Sequence, residues 1–524
     1  MGLTNRMIEN TVLTDRHKRR LWEELTNLKT RALALLKSNF GIIAFLTTVY
    51  MIALFPLFRA NFNYRDDGGR VLQGFDDWDN FGRWITNTLS HAVHADTYLR
   101  DISPLTQILA VLIMVAASII LLKVVRGNKK LTLLDAVCVL PLGLFPYFLC
   151  CFSYKYDSPY MALSVLVSIL PLVFRKNREI FYCLAVFIGT LLMCTTYQAS
   201  AGIFPMVVAF TVFLDWKNGE KAGKIARYCL FSALSYIVAM LVFLLLIPHG
   251  GNSYVAEKVS FNTLSIQHIF ENYVTYFSTF KSDYLIKWFA VIALISVMFF
   301  IRNLMETKRK WIWTLIASGA VYIVILLLSF GTFPLLDEPF TMPRGMYGIC
   351  TFVALICLGA TPTIKGTEKK ICTKRVTQAV SLIVIVTLSW MCIVFSCTYG
   401  NALAAQKSYD DFRISEVATE LAELPTLNDG EATSIQIVGT AGYAAGIKNI
   451  PCDRILLRLV PPPFGGENGW SYIKLLSYYG LPNLQYSEEL SKEDYTKWDI
   501  AHENCYHTIY TSGDKVVVEL KEGQ

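Results

Sequence analysis

Charge is the scarcest ingredient of this chain. Only 17% of its 524 residues are Asp, Glu, Lys or Arg, where soluble domains carry about a quarter. A water-soluble core is excluded by how the apolar residues fall, because they gather in long runs instead of recurring at helical spacing. A phosphate-binding glycine loop with Walker spacing is also missing. Gly219–Lys224 holds two glycines and two lysines but lacks the Ser/Thr and the full spacing. Histidines number only 7. His91 and His94 stand three apart with no Cys or third ligand near them, so no metal site is expected. No cofactor is required by the sequence, and a carboxylate-bound divalent cation, though compatible with acidic outer loops, is not indicated. No Ser/His/Asp arrangement emerges from spacing, and no repeat, low-complexity tract or cleavable signal peptide is evident, since a long basic segment precedes the first apolar run.

What the chain does have is apolar runs near the ~20 residues that cross a bilayer core. Eleven are read: Phe40–Phe58, Pro104–Val125, Leu131–Phe152, Pro159–Phe174, Ile180–Thr195, Ala199–Leu214, Tyr228–Ile247, Leu285–Ile301, Trp311–Phe330, Met346–Thr361 and Val376–Thr398. The expected fold class is therefore a polytopic α-helical membrane protein of about eleven transmembrane helices. The net charge of +7 is not a nucleic-acid footprint, because its distribution alternates. Of the 48 Lys and Arg residues, 28 fall in Met1–Lys37 and in the loops Lys123–Lys130, Arg175–Arg178, Asp215–Arg227, Arg302–Lys310 and Lys365–Arg375. The opposite loops hold 10, and the C-terminal tail another 10. Cytoplasmic loops carry the excess of Lys and Arg, which sets the N-terminus inside and the tail outside, as an odd number of spans requires. A bacterial inner membrane with a periplasmic tail is the expected location.

Three regions follow. Residues 1–39 carry Leu21, Leu25, Leu28 and Leu35 at helical spacing among basic residues, as an amphipathic segment on the cytoplasmic leaflet would. Residues 40–398 form the membrane domain, with a long first outer loop at 59–103. A second outer loop, Pro248–Tyr284, puts Phe270, Val274 and Phe277 on one helical face, as an interfacial helix would. Residues 399–524 regain a soluble composition: a helix over Tyr409–Leu424, a strand over Ser434–Gly439, and a hairpin of Thr508–Thr511 and Lys515–Leu520 around Ser512-Gly513-Asp514, together a small α/β domain. Eleven of the 13 cysteines lie in or beside spans, as small packing residues. Cys452 and Cys505 fall in the outer tail, where an oxidising compartment permits a bridge.

With no inner loop long enough for a nucleotide-binding domain, an enzyme of this build acts at its outer face or within the membrane. The periplasm holds no sugar nucleotides, so a sugar donor there arrives on a lipid. Departure of a lipid phosphate needs a cation, best an Arg fork. It needs no general acid, unlike the alcohol released in glycoside hydrolysis. The acceptor hydroxyl needs a base. The first outer loop offers both in Asp66-Asp67-Gly68-Gly69-Arg70, then Asp76-Asp77-Trp78-Asp79 and Gly82-Arg83. Either Asp66 or Asp67 suits the base; the sequence does not separate them. Arg70, Arg83 and Arg344 are candidates for the donor phosphate. Asp157, paired with Lys155 in the turn before Pro159, is a further substrate-site candidate. Each has a plainer alternative: a solvated charge cluster, an interfacial turn, or a helix stop.

The stretch Tyr64–Gln107 resembles the Gtr-type glucosyltransferases with which phages and bacteria modify O-antigen. The matching features are Asp66-Asp67-Gly68-Gly69-Arg70, the aromatic segment ending in Trp78, Gly82-Arg83, and Asp101-Ile102-Ser103-Pro104-Leu105. Asp157-Ser158-Pro159-Tyr160-Met161-Ala162 and Tyr197-Gln198-Ala199 look like further patches of the family, adding Trp78, Tyr197 and Gln198 as substrate contacts. Trp84 follows Gly82-Arg83, where the family leads one to expect a small residue or proline. The resemblance implies a GT-C-like bundle and inverting transfer of glucose from undecaprenyl-phosphate glucose to a surface glycan, with a lipid-glucose synthase and a flippase as functional partners. A lipid-linked glycan flippase or transporter would carry ionisable residues inside its spans and show related halves. An O-antigen polymerase or ligase would rely on basic residues and histidine in a large outer loop. The acidic first loop favours the transferase.

Overall fold

A computed structural model describes residues 37–127, 129–246, 265–361, 371–428, 432–448, 453–461, 464–465, 476–481 and 483–522. The amphipathic segment expected within residues 1–39 therefore lies, up to residue 36, outside the described residues, and so does Cys452; Cys505 is an exposed free thiol.

The bundle begins with α1 (Phe40–Ala60), then two short helices of the first loop, α2 (Asp67–Gln73) and α3 (Trp84–His94), and α4 (Leu105–Arg126). Next come α5 (Leu133–Val139), α6 (Pro141–Leu144), α7 (Pro146–Ser153) and α8 (Ser158–Ile169), the last extended by a 3₁₀ turn to Phe174. The remaining long helices are α9 (Glu179–Thr196), α10 (Ile203–Lys217), α11 (Ala222–Leu246), α12 (Ile266–Asp283), α13 (Ile286–Met305), α14 (Trp311–Leu328), α15 (Gly348–Ala360) and α16 (Ile371–Ala422).

Within the described residues the expected apolar runs are helical, but not all of the eleven are long enough on their own to cross a membrane. Among the described residues eight helices are long and apolar enough to cross a membrane, nine if the pair bent by 61° at Phe145 is one span. The bend has a local cause: Phe145 is extended, with ψ 136°, and Pro146 cannot continue the hydrogen-bond ladder. The runs at 159–174 and 346–361 fold as shorter apolar helices. For α15 the reason is enclosure. All 13 of its residues are buried, so it packs against protein and needs no full lipid-matched length. Its start is pressed against the end of α14, where a Cβ on Gly348 would collide with the Ser329 carbonyl.

Polar contacts sort the loops into two ends. At one end Arg70 meets Asp157 (2.5 Å), Arg83 meets Gln198 (2.8 Å) and Arg344 meets Tyr154 (2.6 Å). At the other Arg126 meets Asp135 (2.7 Å), Arg175 meets Asp215 (2.7 Å) and Lys217 meets Asn303 (2.7 Å). On α12, Ile266, Phe270 and Val274 are exposed in a single row, while Phe277 of the expected face packs against the core.

The boundary expected near residue 398 falls inside a single helix. α16 runs 52 residues, about 78 Å at 1.5 Å per residue. Its apolar half packs along α1, where Ser396 donates to the Ala53 carbonyl (2.8 Å). Its polar half carries a sheet of order β2-β1-β5-β4-β3, made of β1 (Thr433–Gly439), β2 (Leu484–Tyr486), β3 (Asp499–Glu503), β4 (His507–Ser512) and β5 (Lys515–Leu520). β1 is parallel to β2 and β5, and the β4–β5 hairpin is the expected one. A short helix of this domain, Arg454–Leu459, plugs into the bundle: Tyr64 donates to the Leu459 carbonyl (2.8 Å) and Asp453 accepts from the Trp288 indole (3.0 Å).

Half-buried Asp410, in the polar half of α16, gives a first test. Burial pushes its carboxyl up to about 7, against hydrogen bonds from Gln406 and the Phe464 amide. Folding therefore favours its protonated form. That contribution is complete below the ordinary aspartate range and is lost as pH rises through 7. Asp410→Asn keeps an oxygen for both donors without the charge. It should raise stability by about 1–2 kcal/mol at pH 8, after allowance for partial exposure, and much less at pH 4.5, in thermal melts of the purified chain.

Candidate active site

The chain leaves α1 through Asn61 and then Arg65, both in the left-handed region (φ 45° and 49°). A non-glycine residue there costs about 1–2 kcal/mol, and such outliers gather at functional sites. The turn separates the two neighbouring aspartates. Asp67 goes inward and is fully buried; its Oδ2 accepts the backbone N–H groups of Tyr64 (3.0 Å) and Lys155 (2.9 Å). Burial holds its carboxyl well above the usual range. Asp66 goes outward, with a side chain 58% exposed and Oδ2 4.0 Å from Arg344 Nη1. Burial by its surroundings raises this carboxyl too; Arg344 opposes the shift and the Asp157 charge adds to it.

Three expected ligand-binding residues turn out to hold one another. Asp157 accepts from Arg70 Nη1 (2.5 Å) and from Trp78 Nε1 (2.5 Å). Arg70 also donates to Asp77 (2.7 Å) and lies 4.3 Å from the Trp78 ring centroid, a cation–π distance. All three are buried. The guanidinium expected to take a phosphate is thus already held by two carboxylates, and Trp78 is no open platform for a sugar. The expected Lys155–Asp157 pair is replaced as well: Lys155 Nζ reaches Asn63 (2.7 Å) and Asp101 (2.8 Å). This knot fixes the first loop onto the turn between α7 and α8.

Arg83 and Arg344 are placed differently. Arg83 Nε donates to Gln198 Oε1 (2.8 Å), and Gln198 Nε2 in turn donates to the Phe81 carbonyl (2.9 Å). The Arg83 guanidinium lies 4.7 Å from the Tyr197 ring centroid. Tyr197 also donates, at 3.4 Å, to the Arg344 carbonyl. Gln198 and Tyr197 therefore orient the arginines. Burial lowers the Arg83 guanidinium from its ordinary value and the Arg344 charge adds to that, as expected of two cations facing too little negative charge. Arg344 Nη1 donates to Tyr154 (2.6 Å), while its buried Nε has no partner. An open carboxylate 4.0 Å from Arg344, with Arg83 held against Tyr197 on the same side, can accept a proton while the arginines bind an anion.

Sequence reasoning missed Tyr154 and the Arg65 turn, and gave Asp77 no role of its own. Tyr154 stands beside a motif that drew attention, but no spacing rule ties it to a residue 190 positions later. Among the described residues no group of three or more His, Cys, Asp or Glu could hold a metal ion; His91 pairs with Asp76 (2.7 Å) and His94 stacks on Tyr156. An apolar groove of about 670 Å³ between α10, α11 and α14, lined by Phe204, Val212, Ile225, Tyr236, Ala317 and Val324, shares no residue with this site.

No solved structure matches the chain. Over 483 residues it is 22% identical to a Salmonella phage P22 protein described as an uncharacterized 55.3 kDa protein in the gtrB 5′ region, an alignment covering 90% of this chain and 96% of that protein. The pattern of the family described as glucosyl transferase GtrII matches residues 55–355, from the end of α1 into α15. That match takes in Asp66, Arg83, Gln198 and Arg344 and more than half of the chain, and the protein belongs to the GtrII glucosyltransferase family.

Proposed function

We propose that this membrane glucosyltransferase moves a glucosyl residue from a polyprenyl-phosphate sugar to a hydroxyl of a cell-surface glycan, such as O-antigen, with inversion at the anomeric carbon. The observation that carries the reading is Asp66, an open carboxylate 4.0 Å from Arg344 at the lip of an apolar bundle. The acceptor oxygen attacks C1 of the sugar from the face opposite the phosphate. The new C–O bond forms as the bond from C1 to the phosphate oxygen breaks, and Asp66 takes the hydroxyl proton. The bond's electron pair leaves with the polyprenyl phosphate, whose charge Arg344 and Arg83 receive. Asp67, Arg70 and Asp157 position the loop.

The reading sets the site at the periplasmic face, the N-terminus in the cytoplasm, and eleven crossings between them, two made by short enclosed helices. The donor would be supplied by a lipid-glucose synthase and turned across the membrane by a flippase. Full-length protein in vesicles, given radiolabelled polyprenyl-phosphate glucose or UDP-glucose in parallel, should pass label to a glycan from the lipid donor alone. NMR of the product should give the anomer opposite to the donor's. Transfer from the nucleotide sugar, or retained configuration, rejects the reading.

A further inference from the structure

At the end of the bundle away from Asp66, buried positive charge exceeds its partners among the described residues. Arg126 closes α4, Lys217 closes α10, and Arg302 and Asn303 sit in the last turns of α13; all four are buried. Arg126 gives Nε to Asp135 (2.7 Å) and Nη2 to Thr361 (2.5 Å). Lys217 gives Nζ to Asn303 Oδ1 (2.7 Å), and Arg302 gives Nη2 to Glu306 (2.5 Å). Arg126 Nη1, Arg302 Nε and Asn303 Nδ2 are left over, buried donors with no hydrogen-bond partner among the described residues. Arg126, Lys129 and Arg302 bear on Lys217 as like charges and Glu306 as an opposite one. Lys129, exposed at the rim, feels Arg126, Glu306 and Asp135. Among the described residues this group sets four cations against two carboxylates.

Buried donors without acceptors are rare in folded proteins, and a buried charge without a counter-charge is strongly unfavourable. Water would satisfy a donor but leave the charge. A phosphate group does both, presenting several acceptor oxygens and a negative charge. Basic pockets between membrane helices take phospholipid headgroups in this way. We infer that the ends of α4, α10 and α13 form a binding site for a phosphate group, that of an anionic phospholipid headgroup from the adjoining leaflet, with inorganic phosphate as the other source of the same chemistry. The site does not depend on the glycosyl-transfer reading.

Its test uses the full chain, purified and delipidated, with lipid retention followed by native mass spectrometry and stability by thermal melting. Phosphatidylglycerol should be retained and raise the melting temperature where phosphatidylcholine does not. Lys129→Gln should weaken retention about fivefold, and Lys217→Gln more. Lys310→Gln, an exposed charge outside the cluster, should change nothing. Protection by inorganic phosphate alone, lost in Lys129→Gln, keeps the site and assigns it the free anion. Because Lys129 is exposed, its variant decides the matter even where Lys217→Gln fails to fold. Equal behaviour of the two lipids with no phosphate effect, unchanged anion binding in Lys129→Gln, or an equal loss in Lys310→Gln, overturns the inference.

Discussion

Asp66→Asn should lower glucosyl transfer by about 10²–10⁴-fold, the range that a positioned general base supplies, with little change in the KM for the lipid donor. The amide keeps the size of the side chain but cannot take the acceptor proton. Asp67→Asn should retain most activity. The Asp67 carboxyl is fully buried and held toward its neutral form, and an asparagine oxygen can still accept the Tyr64 and Lys155 amides that Asp67 binds. Two adjacent aspartates thus give opposite outcomes for reasons set by the turn at Arg65. The pH profile adds an independent reading. A base works ionised, and the Asp66 carboxyl is raised by burial, so kcat/KM should climb with pH through an apparent pKa above the usual aspartate range. Equal losses in the two asparagine variants, or full activity in Asp66→Asn, would remove Asp66 from the base role.

The membrane architecture was largely legible because bilayer crossing leaves a one-dimensional signal: run length, and Lys and Arg at alternate loops. It leaves helix length open. The runs at 159–174 and 346–361 are apolar because they are enclosed by other helices, and the sequence does not separate burial in protein from burial in lipid. The continuity of α16 across residue 398 was hidden for a related reason, since a change of composition marks a change of solvent and not a break in the backbone. For the site, residue chemistry points to candidates but does not say which would hold substrate and which hold each other. Arg70, Trp78 and Asp157 look like ligand-binding residues because a buried charged pair and a ligand site use the same side chains; only the 2.5 Å contacts with Asp157 distinguish them. The split between Asp66 and Asp67 rests on a left-handed backbone at Arg65, for which an arginine gives no sequence cue.

That ambiguity yields the second large expected effect. Asp157→Ala should destabilise the protein by about 3–5 kcal/mol, the usual cost of removing one partner of a buried ion pair. The substitution leaves Arg70, 2% exposed, with the partly exposed Asp77 as its remaining ion-pair partner, and leaves the Trp78 indole N–H without its acceptor. Arg70→Leu combined with Asp157→Leu should be less damaging than the sum of the two single changes, because no unpaired buried charge remains; contacting residues commonly couple by about 0.5–3 kcal/mol. A direct substrate role for Asp157 makes the contrary forecast: a folded Asp157→Ala protein with unchanged melting and a raised KM. Thermal melts and donor KM measured on the two single variants and the double variant separate these cases. Since Arg70 and Asp157 join the helix that follows Asp66 to the turn before α8, loosening the pair should lower kcat by displacing the base, with the deficit growing as temperature approaches the variant's melting point.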